Sequence, residues 1–301
     1  MSSLRVLIVG CGIQGNKRRG FLGSDFAGSV DPVAEGAQYK SLSDVPLDSF
    51  DAAFVCMPYQ GKYEAIHYLL SNKKHVLAEK PLLLQNEQFT ALEDLSRQHN
   101  LVSYTAYNHR FERHFVNMKH VLDSDMLGKI YSCRMFYGNG TALDVKKSDW
   151  KDQGYGVVYD IGSHLLDTVL FWFGREIASF SLECCHKFEN NAPDHAIMIS
   201  KGTPFIELEM TLLSWRNSFC CTILAENGSA HIDSLCKWGP SIFTVRSRIR
   251  PSGRPTEESK ALVQSDQTWQ DEYDFFKNLC LKGKSWSNLG NDRWIQANLP
   301  H

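Results

Sequence analysis

The 301-residue sequence lacks several features that would each define a class of protein. It has no long block of like charge, and its 32 lysines and arginines against 34 aspartates and glutamates give a formal net charge of -2. This balance argues against an electrostatic nucleic-acid binder. The most apolar stretch, residues 164–173, contains Asp167 and is far shorter than the ~20 residues that cross a bilayer. We therefore expect no nucleic-acid partner and no membrane contact.

The amino terminus lacks the basic segment, apolar core and cleavage site of a secretory signal, so we expect a cytoplasmic protein. The nine cysteines also lack metal-ligating spacing. Cys184-Cys185 and Cys220-Cys221 are adjacent pairs, without the two-residue gap that lets both thiolates reach one zinc ion. We expect reduced structural thiols and no metal site.

What is present is an ordinary globular composition, 43% apolar and 22% charged, in a chain long enough for two domains. Up to residue 107, short apolar strands alternate with helical segments, which predicts a parallel sheet with right-handed crossovers. Later, Ile206, Leu208 and Met210 alternate with polar residues, as in a sheet with one buried face. The pattern predicts an α/β domain at 1–112 and an α+β domain with a mostly antiparallel sheet at 113–301.

A glycine-rich turn follows the first predicted strand and opens a helix. Gly10 allows the tight turn, Gly12 lets the backbone approach a pyrophosphate, and Gly15 lets the helix pack close to the sheet. Asp31 ends the next strand, about 20 residues on, where a carboxylate accepts hydrogen bonds from ribose hydroxyls. A plain glycine-rich turn is the alternative, but this context favours a Rossmann dinucleotide-binding domain. Because Asp31 would repel a 2'-phosphate, NAD is favoured over NADP.

Three basic residues, Lys17, Arg18 and Arg19, lie in the first turns of the same predicted helix. Positive charge there opposes the helix dipole, so these side chains could instead attract phosphate. We favour a solvated basic face.

The triplet Glu79-Lys80-Pro81 stands where a buried strand leaves the sheet. Ligands bind outside the carboxyl ends of such strands, so an ammonium there can donate a hydrogen bond to a substrate hydroxyl. Pro81 restricts the backbone of the lysine. The alternative is a surface ion pair between Glu79 and Lys80 ahead of a helix.

A predicted helix at 160–173 carries Asp160, His164 and Asp167 at a spacing that puts them on one face. A carboxylate one turn from an imidazole can fix its tautomer and raise its basicity, as a base near neutral pH requires. The alternative is that Asp160 caps the helix and His164 makes a structural hydrogen bond.

Taken together, these residues resemble the glucose-fructose oxidoreductase, inositol dehydrogenase and rhizopine catabolism (Gfo/Idh/MocA) family. The resemblance is carried by residues 10–15, Asp31-Pro32, Val55-Cys56-Met57-Pro58, Glu79-Lys80-Pro81, Tyr107-Asn108-His109-Arg110-Phe111, and Asp160 through His164 to Asp167. It implies an N-terminal Rossmann domain, a C-terminal domain with a large open sheet, and a homodimer or homotetramer formed through that sheet.

The resemblance also implies the roles of individual residues. The expected catalytic residues are Lys80, Asp160 and His164. The expected cofactor-binding residues are Gly10, Gly12, Ile13, Gln14, Gly15, Asp31, Met57, Pro58, Glu79, Asn108, Trp150 and Lys151. The expected substrate-binding residues are Lys80, Arg110, Tyr137, Tyr155 and His164.

The implied function is NAD-dependent oxidation of a secondary alcohol in a sugar, cyclitol or nucleotide sugar, with surface polysaccharide biosynthesis as a context. Two alternatives are an NAD-retaining lyase or glycosidase without net redox change, and a non-catalytic dinucleotide-binding regulator. Three departures from the family pattern stand out. Tyr155 replaces a glycine beside the expected substrate position, the helix around 291–295 is shortened, and His109 either faces solvent or contacts substrate.

Overall fold

The computed structural model describes residues 4–148 and 152–300. Its strands and helices, in chain order, are β1 (Val6–Val9), α1 (Ile13–Leu22), β2 (Phe26–Val30), β3 (Ala52–Val55), α2 (Lys62–Ser71), β4 (His75–Glu79), α3 (Asn86–Gln98), β5 (Val102–Ala106), α4 (Arg113–Asp123), β6 (Ile130–Gly138), α5 (Ala142–Lys146), α6 (Ser163–Phe173), β7 (Phe180–His186), β8 (His195–Ser200), β9 (Phe205–Thr211), β10 (Ser218–Ala225), β11 (Gly228–Asp233), β12 (Ser241–Ser247), β13 (Thr256–Leu262), α7 (Thr268–Leu281), β14 (Trp286–Ser287) and α8 (Leu289–Asn298). They form two compact units. The first runs to Asn108 and takes in Trp269–Gln296, and the second comprises His109–Thr268 and the described residues from Ala297.

The first unit is built on a six-stranded parallel sheet in the order β14-β5-β4-β3-β1-β2. Val9 of β1 pairs with Val30 of β2 on one side and with Val55 of β3 on the other. The carboxyl ends of these strands therefore meet at one edge of the sheet. Every residue of β1 and β3 is buried, because helices cover both faces of a parallel sheet. The predicted parallel α/β architecture is confirmed.

The carboxyl-terminal part of the chain returns to this first sheet. The sequence-based division placed all of 113–301 in the second domain, whereas residues 269–296 pack with the first unit. Trp286 of β14 pairs with Val102 of β5, and Phe276 of α7 lies edge-on against Phe54 of β3, with ring centroids 5.7 Å apart. The strand β14 has only two residues, and its partner β5 lies nearly two hundred residues earlier in the chain. Such a short strand produces no periodic pattern in the sequence.

The second unit is built on an eight-stranded sheet in the order β13-β12-β11-β10-β6-β9-β8-β7. Its described pairings are antiparallel except that of β6 with β9. Ile206, Leu208 and Met210 are buried while Phe205, Glu207 and Glu209 are half-buried, as the alternation predicts. The mostly antiparallel sheet is thus confirmed, with one parallel pair in it.

One predicted boundary differs from that in the structure. The predicted helix 160–173 has two parts: a π-helical turn at Val158–Gly162, and α6 from Ser163. In a π-turn the backbone hydrogen bonds join residues five positions apart instead of four. The α-helical spacing that predicted Asp160 on the same face as His164 and Asp167 therefore does not hold across this turn.

All nine cysteines are free thiols in the structure. Among residues 4–148 and 152–300, no helix is long and apolar enough to span a membrane. Over the same residues, no cluster of three or more His, Cys, Asp or Glu side chains is arranged to hold a metal ion.

Candidate functional site

The glycine loop of the first unit packs so closely that two of its glycines leave no room for a side chain. Gly10 has a φ of +95°, and a Cβ there would lie 2.8 Å from the carbonyl oxygen of Cys56. A Cβ at Gly15 would lie 1.9 Å from the carbonyl oxygen of Gly10. Gly12 is different: it occupies the N-cap position of α1, and apart from the adjoining backbone no described atom lies within 4 Å of a Cβ built there. The loop therefore presents open backbone at the helix start, which fits the approach of a pyrophosphate.

Asp31 ties this loop to the end of β2. Its carboxylate accepts the backbone N–H of Cys11 at 2.8 Å, of Val33 at 2.9 Å and of Ala34 at 2.8 Å. Burial raises the pKa of Asp31, but these backbone hydrogen bonds more than offset it, and the net pKa is below the ordinary value. The carboxylate is ionised at neutral pH and stands beside the glycine loop.

The remaining cofactor candidates of this unit come after the carboxyl ends of strands in the same parallel sheet. Ile13 is 80% exposed at the start of α1, although it is apolar, and Gln14 beside it is also exposed. Met57 is half-buried and Pro58 is exposed directly after β3. Asn108 is buried at the end of the unit.

Arg18 does not lie on a solvated face, so that interpretation was wrong for this residue, although Lys17 and Arg19 are exposed. Arg18 is 2% exposed, and its Nε donates to Glu79 Oε1 while its Nη2 donates to Glu272 Oε2 at 2.9 Å. Burial disfavours the charged guanidinium, but the two carboxylates outweigh this and raise its pKa. Glu79 is therefore buried and paired with Arg18, so it is not at the surface as the alternative of a surface ion pair required.

Burial also governs Glu272. It raises the pKa of this carboxyl to about 7, against the opposing effect of Arg18, and the second carboxylate, Glu79, adds to the rise. The hydroxyl of Tyr104 donates to Glu272 Oε1 at 3.1 Å. The guanidinium of Arg18 thus donates hydrogen bonds to two buried carboxyl groups. One of them, Glu272, retains its proton up to neutral pH.

Lys80 follows β4 and is half-buried, and its peptide bond to Pro81 is cis. The main-chain carbonyl groups of the residues before and after Lys80 accept hydrogen bonds from a lysine that was not predicted from the sequence. Lys62, the first residue of α2, is 3% exposed, and its Nζ donates to the carbonyl oxygens of Glu79 at 2.5 Å and Pro81 at 3.2 Å. Its sequence position does carry a signal, because a lysine at the first helical position opposes the helix dipole.

In the second unit, His109 stacks on His164. The centroids of these two rings are 4.2 Å apart, and their planes are 19° from parallel. The ring of Tyr137 also stacks on His109, with a centroid distance of 5.5 Å. His109 is 3% exposed, so the solvent-facing alternative is wrong and the substrate contact stays a prediction. Burial, then the charge of Asp160, raises the pKa of Tyr137, so its hydroxyl stays protonated. Three polar rings are thereby brought together.

Arg110 and Asp167 form a bidentate pair beside this stack. The Nε and Nη2 of Arg110 donate to the Asp167 carboxylate at distances from 2.7 to 3.1 Å. Asp167 is 1% exposed, and burial raises its pKa although Arg110 opposes the rise. His164 and Asp167, predicted to share a helix face, both meet the turn that carries His109 and Arg110. Arg110, predicted to bind substrate, has two of its nitrogens engaged by Asp167.

Asp160 is exposed in the π-helical turn, and the N-cap position of α6 is Gly162. The alternative in which Asp160 caps this helix is therefore wrong. Tyr155 is half-buried, with its ring centroid 5.2 Å from that of Tyr159. Trp150 and Lys151, expected to bind cofactor, lie outside the described residues.

The fold and the glycine loop define a class: a protein with a dinucleotide-binding Rossmann unit joined to a mostly antiparallel sheet unit. Residues 4–107 match the model of the oxidoreductase family with an NAD-binding Rossmann fold, and residues 115–231 match the GFO/IDH/MocA C-terminal domain. The chain belongs to the Gfo/Idh/MocA oxidoreductase family, as the resemblance predicted.

Individual relatives agree with this assignment. An uncharacterized oxidoreductase of Schizosaccharomyces pombe is 31% identical over 140 residues, 45% of this chain and 37% of that protein. Glucose-6-phosphate 3-dehydrogenase of Bacillus subtilis is 24% identical over 152 residues, 49% of this chain and 43% of that protein. The matched segments thus span less than half of these relatives. A levoglucosan dehydrogenase solved with NADH and levoglucosan has the same fold, with a TM-score of 0.80 at 16% identity, covering 98% of this chain and 95% of that one.

Proposed function

We propose that this chain oxidises a secondary alcohol of a sugar-like substrate, or reduces the corresponding ketone, with a nicotinamide dinucleotide. One observation carries the proposal. The glycine loop after β1 and Lys80 after β4 follow the carboxyl ends of strands in one parallel sheet, with β3 between them. A primary amine and an open helix start therefore leave the same sheet edge, where ligands of such sheets bind.

The dinucleotide would lie on the backbone of residues 10–15, with its ribose on Asp31, and when bound it supplies the hydride acceptor. Lys80 would donate a hydrogen bond to the reacting oxygen. His164 would take the hydroxyl proton, with Asp160 holding the imidazole, although Lys80 and His164 could exchange these roles.

NAD is the proposed cofactor, in preference to NADP. The ionised carboxylate of Asp31 would accept hydrogen bonds from a free 2'-hydroxyl and repel a 2'-phosphate. Equilibrium titration of the purified protein with NADH and NADPH, followed by nicotinamide fluorescence, tests this choice. Tighter binding of NADPH would contradict it.

The proposed substrate class is a sugar, cyclitol or nucleotide sugar. It rests on the relatives, whose names include glucose-6-phosphate 3-dehydrogenase, myo-inositol 2-dehydrogenase and levoglucosan dehydrogenase. A role in surface polysaccharide biosynthesis and a homodimer or homotetramer through the eight-stranded sheet remain predictions. Sedimentation velocity tests the second of these.

The decisive experiment is a screen of NAD reduction with D-glucose 6-phosphate, myo-inositol, levoglucosan and nucleotide sugars. K80M should leave NADH binding nearly unchanged and lower turnover by ~10²-fold. Near-normal turnover of K80M would refute the role of Lys80.

The same screen distinguishes the two alternative functions. Product formation without net NADH, together with NAD retained in mass spectra of the purified protein, would indicate a lyase or glycosidase. Dinucleotide binding without any turnover would indicate a regulator.

A further inference from the structure

Lys62 holds the main chain on both sides of Lys80. Its ammonium lies within 2.5 Å of the carbonyl oxygen of Glu79 and 3.2 Å of that of Pro81. These carbonyls belong to the residues immediately before and after Lys80. A single donor group therefore holds the peptide unit that precedes Lys80 and the one that follows Pro81.

The side chain of Glu79 is fixed from a second direction. Arg18 donates to its carboxylate, and Arg18 itself is held by Glu272 and lies over the Trp269 ring at 4.6 Å. Lys62 binds the main chain of this segment and Arg18 binds its side chain. Both cations are nearly inaccessible to solvent, with 3% and 2% of their surfaces exposed.

A buried ammonium has an energetic cost that an apolar side chain at this position would avoid. Burial lowers the pKa of Lys62 to about 8, the charge of Glu79 opposes this, and Lys80 lowers it further. Cys56 and Asp292 also face the group, and both favour its charged form. Lys62 is therefore mainly protonated at pH 7, with N–H donors available for both carbonyls.

We propose that Lys62 is a positioning residue for Lys80: by binding the carbonyls of Glu79 and Pro81, it fixes the direction in which the Lys80 amine leaves the sheet. This inference rests on the proposed function, in which Lys80 contacts the reacting oxygen. Lys62 itself is buried and acts through the backbone. A misplacement of about 1 Å in a reacting group can lower turnover by ~10²-fold, so the effect is measurable.

The test compares K62M with a matched control, K74M. Lys74 is also a partly buried lysine of the first unit whose Nζ donates to a main-chain carbonyl, that of Phe50 at 2.8 Å. With whichever probe sugar the wild type turns over fastest, K62M should lower kcat by about tenfold or more. K74M should leave kcat within about twofold, and both variants should retain the NADH Kd of the wild type within about twofold.

A double-mutant cycle separates positioning from a general structural role. If Lys62 acts through Lys80, K62M should lower kcat by less than about twofold in a K80M background. An equal loss in both backgrounds, or wild-type kcat in K62M, would overturn the inference. K62Q provides a second variant that keeps an N–H donor without the charge, and its kcat should lie between those of the wild type and K62M.

Hydrogen exchange gives a readout that needs no substrate. Amides in a peptide covering residues 78–84 should exchange faster in K62M than in the wild type and K74M, while those of residues 4–9 stay unchanged. Unchanged exchange at 78–84 would overturn the inference even where no sugar is oxidised. Faster exchange in a chain without dehydrogenase activity would support the backbone role of Lys62 and reject the proposed function alone.

Discussion

The buried cluster of Arg18, Glu79 and Glu272 makes the stability of this protein depend on pH in a defined way. One guanidinium faces two carboxyl groups, and burial holds the pKa of Glu272 at about 7, against an ordinary value of 4.5. Replacing Glu272 by glutamine removes the titrating group and keeps its size, its acceptor oxygen for Arg18 and its contact with Tyr104. Comparison of E272Q with the wild type therefore isolates the titration.

The sign follows from proton binding in the two states. Below about pH 4.5, the folded and unfolded chains both carry the protonated acid. Between about pH 4.5 and 7, the unfolded chain releases this proton while the folded chain keeps it, so the free energy of unfolding falls as pH rises. A difference of 2.5 between the two pKa values corresponds to about 3 kcal/mol at pH above 7.

Urea unfolding at intervals from pH 4 to 8 measures this effect. The free energy of unfolding of E272Q relative to the wild type should increase by about 3 kcal/mol across the series, with most of the change between pH 4.5 and 7. Titrating groups that do not interact with Glu272, such as the half-buried His75, cancel in this difference. E258Q, which removes an exposed carboxylate on β13, should shift the curve by less than about 0.5 kcal/mol. A difference between E272Q and the wild type that stays flat with pH would refute the reasoning.

Three further predictions concern the loop and the buried ion pair. G15A places a methyl group 1.9 Å from the Gly10 carbonyl oxygen, and should lower stability by about 3 kcal/mol and weaken NADH binding, measured by thermal unfolding and fluorescence titration. D31S removes the carboxylate proposed to face the ribose, and should shift the ratio of NADH to NADPH affinity toward NADPH by about tenfold; an unchanged ratio would contradict the role of Asp31. R110M leaves Asp167 buried without its partner, and should lower the free energy of unfolding by about 3 kcal/mol, with part of the loss recovered in the R110M/D167N double variant.

The fold could be predicted because its signals are local. The apolar run at 6–9, the glycine turn and Asp31 lie within about thirty residues, and each constrains its neighbours in the chain. The alternation in β9 likewise reports one buried face directly. By contrast, the pairing of β14 with β5 joins residues far apart in sequence through only two residues, and no period can develop in so short a strand.

The residues of the candidate site could be predicted only in part, because some of their contacts join distant parts of the sequence. Lys80 could be proposed from the sequence because its place after a strand and before a proline is a local pattern. The burial of Arg18 depends on Glu272, which is 254 positions away, so the sequence indicated only a basic helical turn. For His109 the sequence left solvent exposure and a substrate contact open, because its stacking on His164 and Tyr137 depends on elements that come together only in the folded unit.

The buried charges around Glu79 have a consequence for how the triplet Glu79-Lys80-Pro81 works. Buried ion networks often stabilise a fold no better than apolar side chains of similar volume would, since each charge loses its hydration. Stability alone therefore does not account for Arg18 and Lys62 both converging on Glu79, one at its carboxylate and one at its carbonyl. Directional hydrogen bonds do supply something that apolar packing lacks, namely a fixed orientation of the peptide that precedes Lys80. Under the proposed function, Glu79 would therefore contribute by anchoring the lysine next to it, with Arg18 on its carboxylate and Lys62 on its carbonyl.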